Sequence, residues 1–197
     1  MRLTQYAHLC LETILKPGDC VLDATAGNGY DSLKSAELIG GSGRLIAIDK
    51  QAVAIDTTRK KITEYDSELR PEIHLGDHAK LLKKLSVKLD VALFNLGYLP
   101  GGNKSVISTP ESTIAALDEI PRLLKNEGAL FVTTYRQHPG GADESIAVCE
   151  WMLRQEVKGW VIRKFEPPSA PESLGPILWI ATPLALDLPR INLPYIQ

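Results

Sequence analysis

Apolar residues recur along this chain in two alternating rhythms. Short β-branched and aliphatic runs, bounded by glycine, proline or acidic residues, read as strands, and stretches with an apolar residue every third or fourth position read as helices. A helix is predicted over 3–15, closing at Lys16-Pro17-Gly18-Asp19. Strands follow at 20–24, 44–49, 72–75, 89–94, 129–134, 160–165 and 177–182, with helices between them at 30–39, 52–65, 78–85, 112–124 and 144–156. Strands that alternate with helices form a mostly parallel sheet covered on both faces. The last two strands are joined only by the proline-rich stretch 166–176, too short for a crossover helix, so they should pair antiparallel as a hairpin. The predicted fold class is α/β, a doubly wound, seven-stranded, mostly parallel sheet with a C-terminal antiparallel hairpin. The predicted domain spans 1–183, and 184–197 is an apolar, proline-bearing tail. That tail reads equally as a strap on this domain or a second subunit and as a surface segment.

The most informative stretch is Asp23-Ala24-Thr25-Ala26-Gly27-Asn28-Gly29-Tyr30-Asp31, a strand end, a glycine turn and a helix start. Backbone can approach a ligand closely at Gly27 and Gly29 because neither carries a Cβ. Such a turn marks a nucleotide site at the carboxyl edge of a parallel sheet. The dinucleotide fingerprint G-x-G-x-x-G needs a third glycine, and Ser32 stands there. An acidic residue closing the strand, followed by a short glycine loop, suits S-adenosylmethionine, whose methionine end is a zwitterion with a sulfonium and no pyrophosphate. The terminal hairpin points the same way. It is the ending of the class I methyltransferase sheet, a Rossmann-like variant, whereas dinucleotide-binding sheets are typically six parallel strands.

Composition narrows the class further. At 197 residues the chain suits one domain with a full core. A hydrophobic content of 44% and a charged content of 23% are ordinary for a globular protein. With a net charge of −2, any nucleic-acid contact must come from a local patch. Cys10, Cys20 and Cys149 show no C-x-x-C spacing and read as reduced thiols of a cytoplasmic protein. No signal peptide and no membrane span are expected. His8, His74, His78 and His138 lack paired ligand spacing, so no metal is expected.

Candidate cofactor contacts follow from the sheet. Asp23, Ala26, Gly27, Asn28, Gly29 and Asp31 line the first turn. One of Asp23 and Asn28 is placed to meet the ligand's ammonium, while Asp31 could instead cap the helix that it opens. Asp49 ends the second strand, where a carboxylate accepts both ribose hydroxyls; its other reading is a helix cap. Gln51 could bond the ribose or the adenine edge. Asp77 and His78 follow the third strand, where a carboxylate accepts from the adenine amine and a ring can stack; Asp77 can serve as a helix N-cap as well.

The reacting end falls on Asn95-Leu96-Gly97-Tyr98-Leu99-Pro100-Gly101-Gly102 after the fourth strand. Methyltransferases of exocyclic amines place an Asn or Asp and then an aromatic here. The amide carbonyl accepts the amine's hydrogens and the ring stacks on the base. Asn95 and Tyr98 fill those positions, although Leu96-Gly97 replaces the usual proline pair; turn former and part-buried core are their bland alternatives. His138, in His138-Pro139-Gly140-Gly141 on the same rim, could take a proton, bind a phosphate or hold the loop.

These three segments together resemble the small bacterial methyltransferases formerly labelled rRNA methylases, now associated with tRNA 5-aminomethyl-2-thiouridine methylation. The resemblance runs from about Leu3 to Thr182, and its most specific element is the run from Asn95 to Gly102. It implies methyl transfer from S-adenosyl-L-methionine to the wobble-position amine. Asn28, Asp49, Gln51, Asp77 and His78 would then hold the cofactor, and Asn95, Tyr98 and His138 would face the nucleoside. Tyr30, where a histidine is common, and Tyr135-Arg136-Gln137 depart from the family pattern.

The implied partner is the tRNA anticodon region. Lys104 and Arg136 on the rim are better phosphate candidates than the lysines of the helix faces, and the apolar tail allows a homodimer. Alternatives are an rRNA or small-amine methyltransferase, a nicotinamide-dependent oxidoreductase, and a catalytically silent RNA-binding module.

Overall fold

The computed structural model describes residues 2–97, 99, 101, 107–166 and 175–189. Its elements run α1 (Leu3–Ile14), β1 (Cys20–Asp23), α2 (Tyr30–Ile39), β2 (Arg44–Asp49), α3 (Ala52–Tyr65), β3 (Glu72–Leu75), α4 (His78–Leu82), β4 (Leu89–Asn95), α5 (Pro110–Leu117), α6 (Ile120–Leu123), β5 (Leu124–Thr134), α7 (Gly141–Val157), β6 (Val161–Phe165) and β7 (Ile177–Thr182). The strands form a seven-stranded sheet in the order β3-β2-β1-β4-β5-β7-β6. Pairs from β3 through β5 are parallel, and β7 runs antiparallel to both β5 and β6. The expected hairpin is present, with its returning strand inserted beside β5. No helix among the described residues is long and apolar enough to cross a membrane.

The two-residue alternation of the strands sends side chains into two apolar layers. Leu22, Ala92, Phe94, Leu130 and Val132 pack with Leu82, Leu117, Leu123 and Trp151 beneath α4–α7. Val21, Val91, Leu93, Ala129 and Phe131 pack with Leu11, Ala36 and Ile62 of α1–α3 on the other face. Leu188 joins this second layer, Arg163 donates to the Leu186 carbonyl at 2.8 Å, and Tyr6 donates to the Pro189 carbonyl at 3.2 Å. The tail as far as Pro189 therefore straps this domain; positions 190–197 of the expected tail lie outside the described residues.

α4 ends at Leu82 rather than 85 and α7 begins at Gly141 rather than 144, and the larger differences from the sequence expectation lie in α5, α6 and β5. The helix expected over 112–124 begins at Pro110, where the Thr109 hydroxyl accepts from the Ser112 amide and proline occupies the first turn. It then breaks after Leu117, because Pro121 has no N–H and its ring crowds the carbonyl four residues back. β5 starts at Leu124 rather than 129, pairing Leu124 with Leu89 across an irregular register.

The glycine turn fixes the approach of α2 to α3. Gly29 caps α2 at φ +75°, and a Cβ there would lie 2.8 Å from the Thr58 Cα on α3. An alanine must bear left-handed strain and push back a helix backbone. Gly29→Ala should cost about 2 kcal/mol or more of stability, read from the urea midpoint; an unchanged midpoint would show that α3 yields freely.

Candidate active site

The site forms where β1, β2, β4 and β5 end. The turn after β1 is hung between its neighbours, with the Ala24 amide donating to the Leu93 carbonyl and the Ala26 amide to the Ile48 carbonyl, each at 2.9 Å. Asp23 is wholly buried beneath it, accepting from the Ser32 hydroxyl at 2.5 Å and the Thr25 amide at 3.2 Å. Ala26 is buried as well. Asp23 and Ala26 thus hold the turn from below, whereas Asn28, the other candidate for the ammonium contact, is half-buried on it. Burial first, and then the charge of Asp31, push the Asp23 carboxyl up to about 7.

Asp49 ties the second strand to this turn. Its Oδ2 accepts from the Gly27 amide at 2.9 Å and its Oδ1 from the Gln51 amide at 2.8 Å. A carboxylate has about four acceptor positions, so Asp49 keeps capacity for further donors on its open side. A Cβ at Gly27 (φ +52°) would point across the crevice to the Leu99 Cδ1, 3.6 Å away. The missing side chain is what leaves that space open.

Asp77 caps α4, accepting from the Ala79 amide at 2.8 Å, and also meets Lys50 at 3.1 Å and the Ser112 hydroxyl at 3.1 Å. Burial works against its charge, but the Lys50 ammonium and the Ala79 amide outweigh that and hold the carboxyl below the usual range. His78 is buried with Nδ1 3.2 Å from the Ala24 carbonyl and Nε2 3.3 Å from the Ser112 hydroxyl. Burial and then Lys50 lower its pKa, so the ring is a neutral brace between two loops. The ring also packs edge-to-face with Phe94.

At the reacting end the Asn95 amide N–H donates to the Thr25 hydroxyl at 2.6 Å, and its side-chain Nδ2 donates to Asp31. The other Asp31 oxygen lies 2.5 Å from His8 Nε2 on α1. Asp31 therefore caps nothing; it joins α1, α2 and β4. Beyond Asn95, the Gly97 amide donates to the Ser108 hydroxyl at 2.7 Å and the Ser108 amide returns to the Gly97 carbonyl at 3.1 Å, pinning both ends of the intervening loop. Ser108 and Thr113 both donate to the buried Glu144 at the start of α7, at 2.9 and 2.7 Å.

His138 is 8% exposed, and its Nδ1 lies 3.0 Å from the Pro139 carbonyl. A Cβ at Gly97 would come 3.2 Å from its Nε2. The ring lies against Gly97 at the end of β4. Arg136 is also committed: its side chain is 15% exposed, pairs with Glu166 at 2.6 Å and donates twice to the Gly175 carbonyl. It holds the hairpin and has little guanidinium left for a phosphate. Tyr98 and Lys104 lie outside the described residues.

Sequence reasoning missed His8, Lys50, Ser112 and Glu144 as members of this region, while Tyr135 was expected on its rim. Tyr135 is 37% exposed on the rim, and burial together with Asp31 raises its hydroxyl pKa. Only Lys50 carried a signal, as the neighbour of Asp49; the others are brought in by tertiary contacts.

A doubly wound sheet with this terminal hairpin, a glycine turn backed by Asp49 and an amide at the end of β4 define a Rossmann-like methyltransferase. The chain belongs to the family described as "Putative rRNA methylase", whose model matches residues 45–180. It is 33% identical over 187 residues to a chloroplastic tRNA (mnm(5)s(2)U34)-methyltransferase of Arabidopsis thaliana, covering 90% of this chain and 68% of that one. A "putative rRNA-methylase" from Clostridium thermocellum superposes with a TM-score of 0.84 at 32% identity, covering 91% of this chain and 96% of that one. A "putative methyltransferase" from Streptococcus mutans in complex with SAH gives 0.80 at 27%, covering 92% and 97%.

The buried Asp23 carboxyl has a testable signature. Its folded pKa, about 7, is raised above an ordinary 3.8, so its contribution is most favourable in acid and is lost as the pH climbs through about 7. From pH 5 to pH 8 this group alone should remove about 3 kcal/mol of stability. Asp23→Asn should flatten that decline in denaturant midpoints measured across the range, and an equally steep decline would assign it elsewhere.

Proposed function

We propose that this protein transfers a methyl group from S-adenosyl-L-methionine to the primary amine of 5-aminomethyl-2-thiouridine at the tRNA wobble position. The observation that carries this reading is the Asn95 amide, held by hydrogen bonds at the carboxyl end of β4 beside the glycine turn. The tRNA assignment is supported by the chloroplastic relative, and the cofactor by the family and by the Streptococcus mutans neighbour that holds SAH.

The residues present fit that cofactor. Gly27 leaves the space that a side chain would fill, Asn28 lies in the same turn, and Asp49 retains acceptors for a pair of hydroxyls. Gln51 and Asp77 follow on the adenine side, with His78 bracing their loop. S-adenosyl-L-methionine supplies an electrophilic sulfonium methyl, which an amine lone pair takes up as the carbon–sulfur bond breaks and its electrons stay on sulfur. The chain's part is mainly alignment, which can supply about 7–11 kcal/mol of a barrier. The amine must attack as the neutral form, so the groups around it should accept N–H hydrogens without stabilising an ammonium. The Asn95 carbonyl oxygen is such an acceptor, where a carboxylate in its place would favour the charged form. Tyr98 keeps the base-stacking role that the family resemblance implies. For RNA phosphates Arg136 is the weaker candidate because its guanidinium is engaged by Glu166 and the Gly175 carbonyl, which leaves Lys104.

The test is nucleoside mass spectrometry of tRNA bearing 5-aminomethyl-2-thiouridine after incubation with protein and S-adenosyl-L-methionine. One added methyl on that nucleoside is expected. Cofactor binding by calorimetry without methylation would move the target to an rRNA or small amine. Asn95→Ala should lower turnover about a hundredfold while leaving the cofactor Kd within about twofold.

A further inference from the structure

We propose that His8 and Asp31 are positioning residues that fix the orientation of the Asn95 amide, so that its carbonyl oxygen is the end presented to the substrate amine. The proposal rests on the function proposed above and specifies how its acceptor is set. No residue of α1 figured among the candidate site residues read from the sequence.

The chemistry of the three side chains allows one arrangement. An ionised carboxylate only accepts hydrogen bonds, whereas an amide donates at its nitrogen and accepts at its oxygen. Asp31 Oδ2 receives the Asn95 Nδ2, so the Asn95 carbonyl must point to the other side. Asp31 in turn is held by its Oδ1, 2.5 Å from His8 Nε2, a contact that requires a proton on that nitrogen. The Asn95 main chain is locked separately, by the Thr25 hydroxyl and by its register opposite Thr133. With both ends of Asp31 engaged and the backbone fixed, an amide flip would set two acceptors against each other.

The arrangement also strengthens the acceptor. Donation from the amide nitrogen to a carboxylate polarises the amide and concentrates negative charge on its oxygen. The cluster is open enough to serve a ligand: the His8 and Asp31 side chains are 28% and 21% exposed. Asp31 and Asn95 share a small cavity, about 10 Å³, with Thr4 and Ala7 of α1 and Thr133 of β5. The N-terminal helix is thereby the back wall of the reacting end. The titratable groups around this cluster are Asp23 below it and Tyr135 on the rim, both of which feel the charge of Asp31.

A double-mutant cycle on the full-length protein tests the proposal. Asp31→Asn should lower kcat about tenfold, and His8→Ala by less, with the melting temperature and the cofactor Kd little changed. In an Asn95→Ala background both substitutions should become nearly silent, because they act only through that amide. Losses that multiply independently of Asn95 would overturn the proposal. As a second check, Asn95→Asp should shift the rise of kcat to higher pH, since a carboxylate favours the ammonium; an unshifted profile would count against an acceptor at this position. If the wild type fails to methylate the tRNA, the function proposed above fails, and nitrogen-15 NMR of His8 still decides on the clamp. A proton on Nε2 supports it and a proton on Nδ1 alone overturns it.

Discussion

The glycine turn after β1 is held by two carboxylates that approach it from opposite sides, and the site depends on that hold. Asp23 grips it from the buried side through Ser32 and Thr25, and Asp49 from the open side through the Gly27 amide. The positive-φ glycines of the turn, Gly27 and Gly29, would otherwise sample many conformations. Tying it to the ends of β1 and β2 makes the cradle part of the sheet, so ligand binding need not first order a loop.

The same carboxylates set the electrostatic preference. Asp23, Asp31 and Asp49 surround one short turn, and the two that act on Asp23 both raise its pKa. A pyrophosphate brought to this turn would meet several carboxylates, against which one helix N-terminus contributes only about half a unit charge. A sulfonium with a neighbouring ammonium meets the opposite field. The missing third glycine and the acidic surroundings thus disfavour a dinucleotide for independent reasons, one steric and one electrostatic.

What was legible in the sequence was whatever a local pattern fixes. α2, α3, β2, β3 and β7 fall on the bounds expected from periodicity, and the hairpin follows from a connection too short for a helix. Asp49 and Asp77 could be placed because strand ends and helix starts are local features. The split of α5 from α6 was also written locally, in Thr109-Pro110 and Pro121, but apolar periodicity ran across it. His8 could not be found that way. It meets Asp31 across 23 positions, and Asp31 meets Asn95 across 64, so only the folded sheet brings them together. Arg136 shows the same limit: its rim position is local information, whereas its pairing with Glu166 and Gly175 comes from the hairpin closing.

The sheet divides the labour between its halves. The strands on one side of β1 lead into Asp49 and Asp77, the residues proposed for the cofactor; β4 and β5, on the other, lead into Asn95 and the His138 loop. A methyl donor and an acceptor held by separate halves would react slowly if those halves moved independently, because in-line attack tolerates little misplacement. Asp31 crosses that division. It sits in the first turn of the helix that follows the cofactor cradle, yet its carboxylate bonds the acceptor amide, and α1 closes over both through His8. A displacement of the glycine turn is thus transmitted to Asn95 through one carboxylate. On the far side Glu144 performs the matching task, joining the base of the β4 loop to α5 and α7. The reacting end is anchored at two points by buried or half-buried carboxylates, Asp31 on one side and Glu144 on the other.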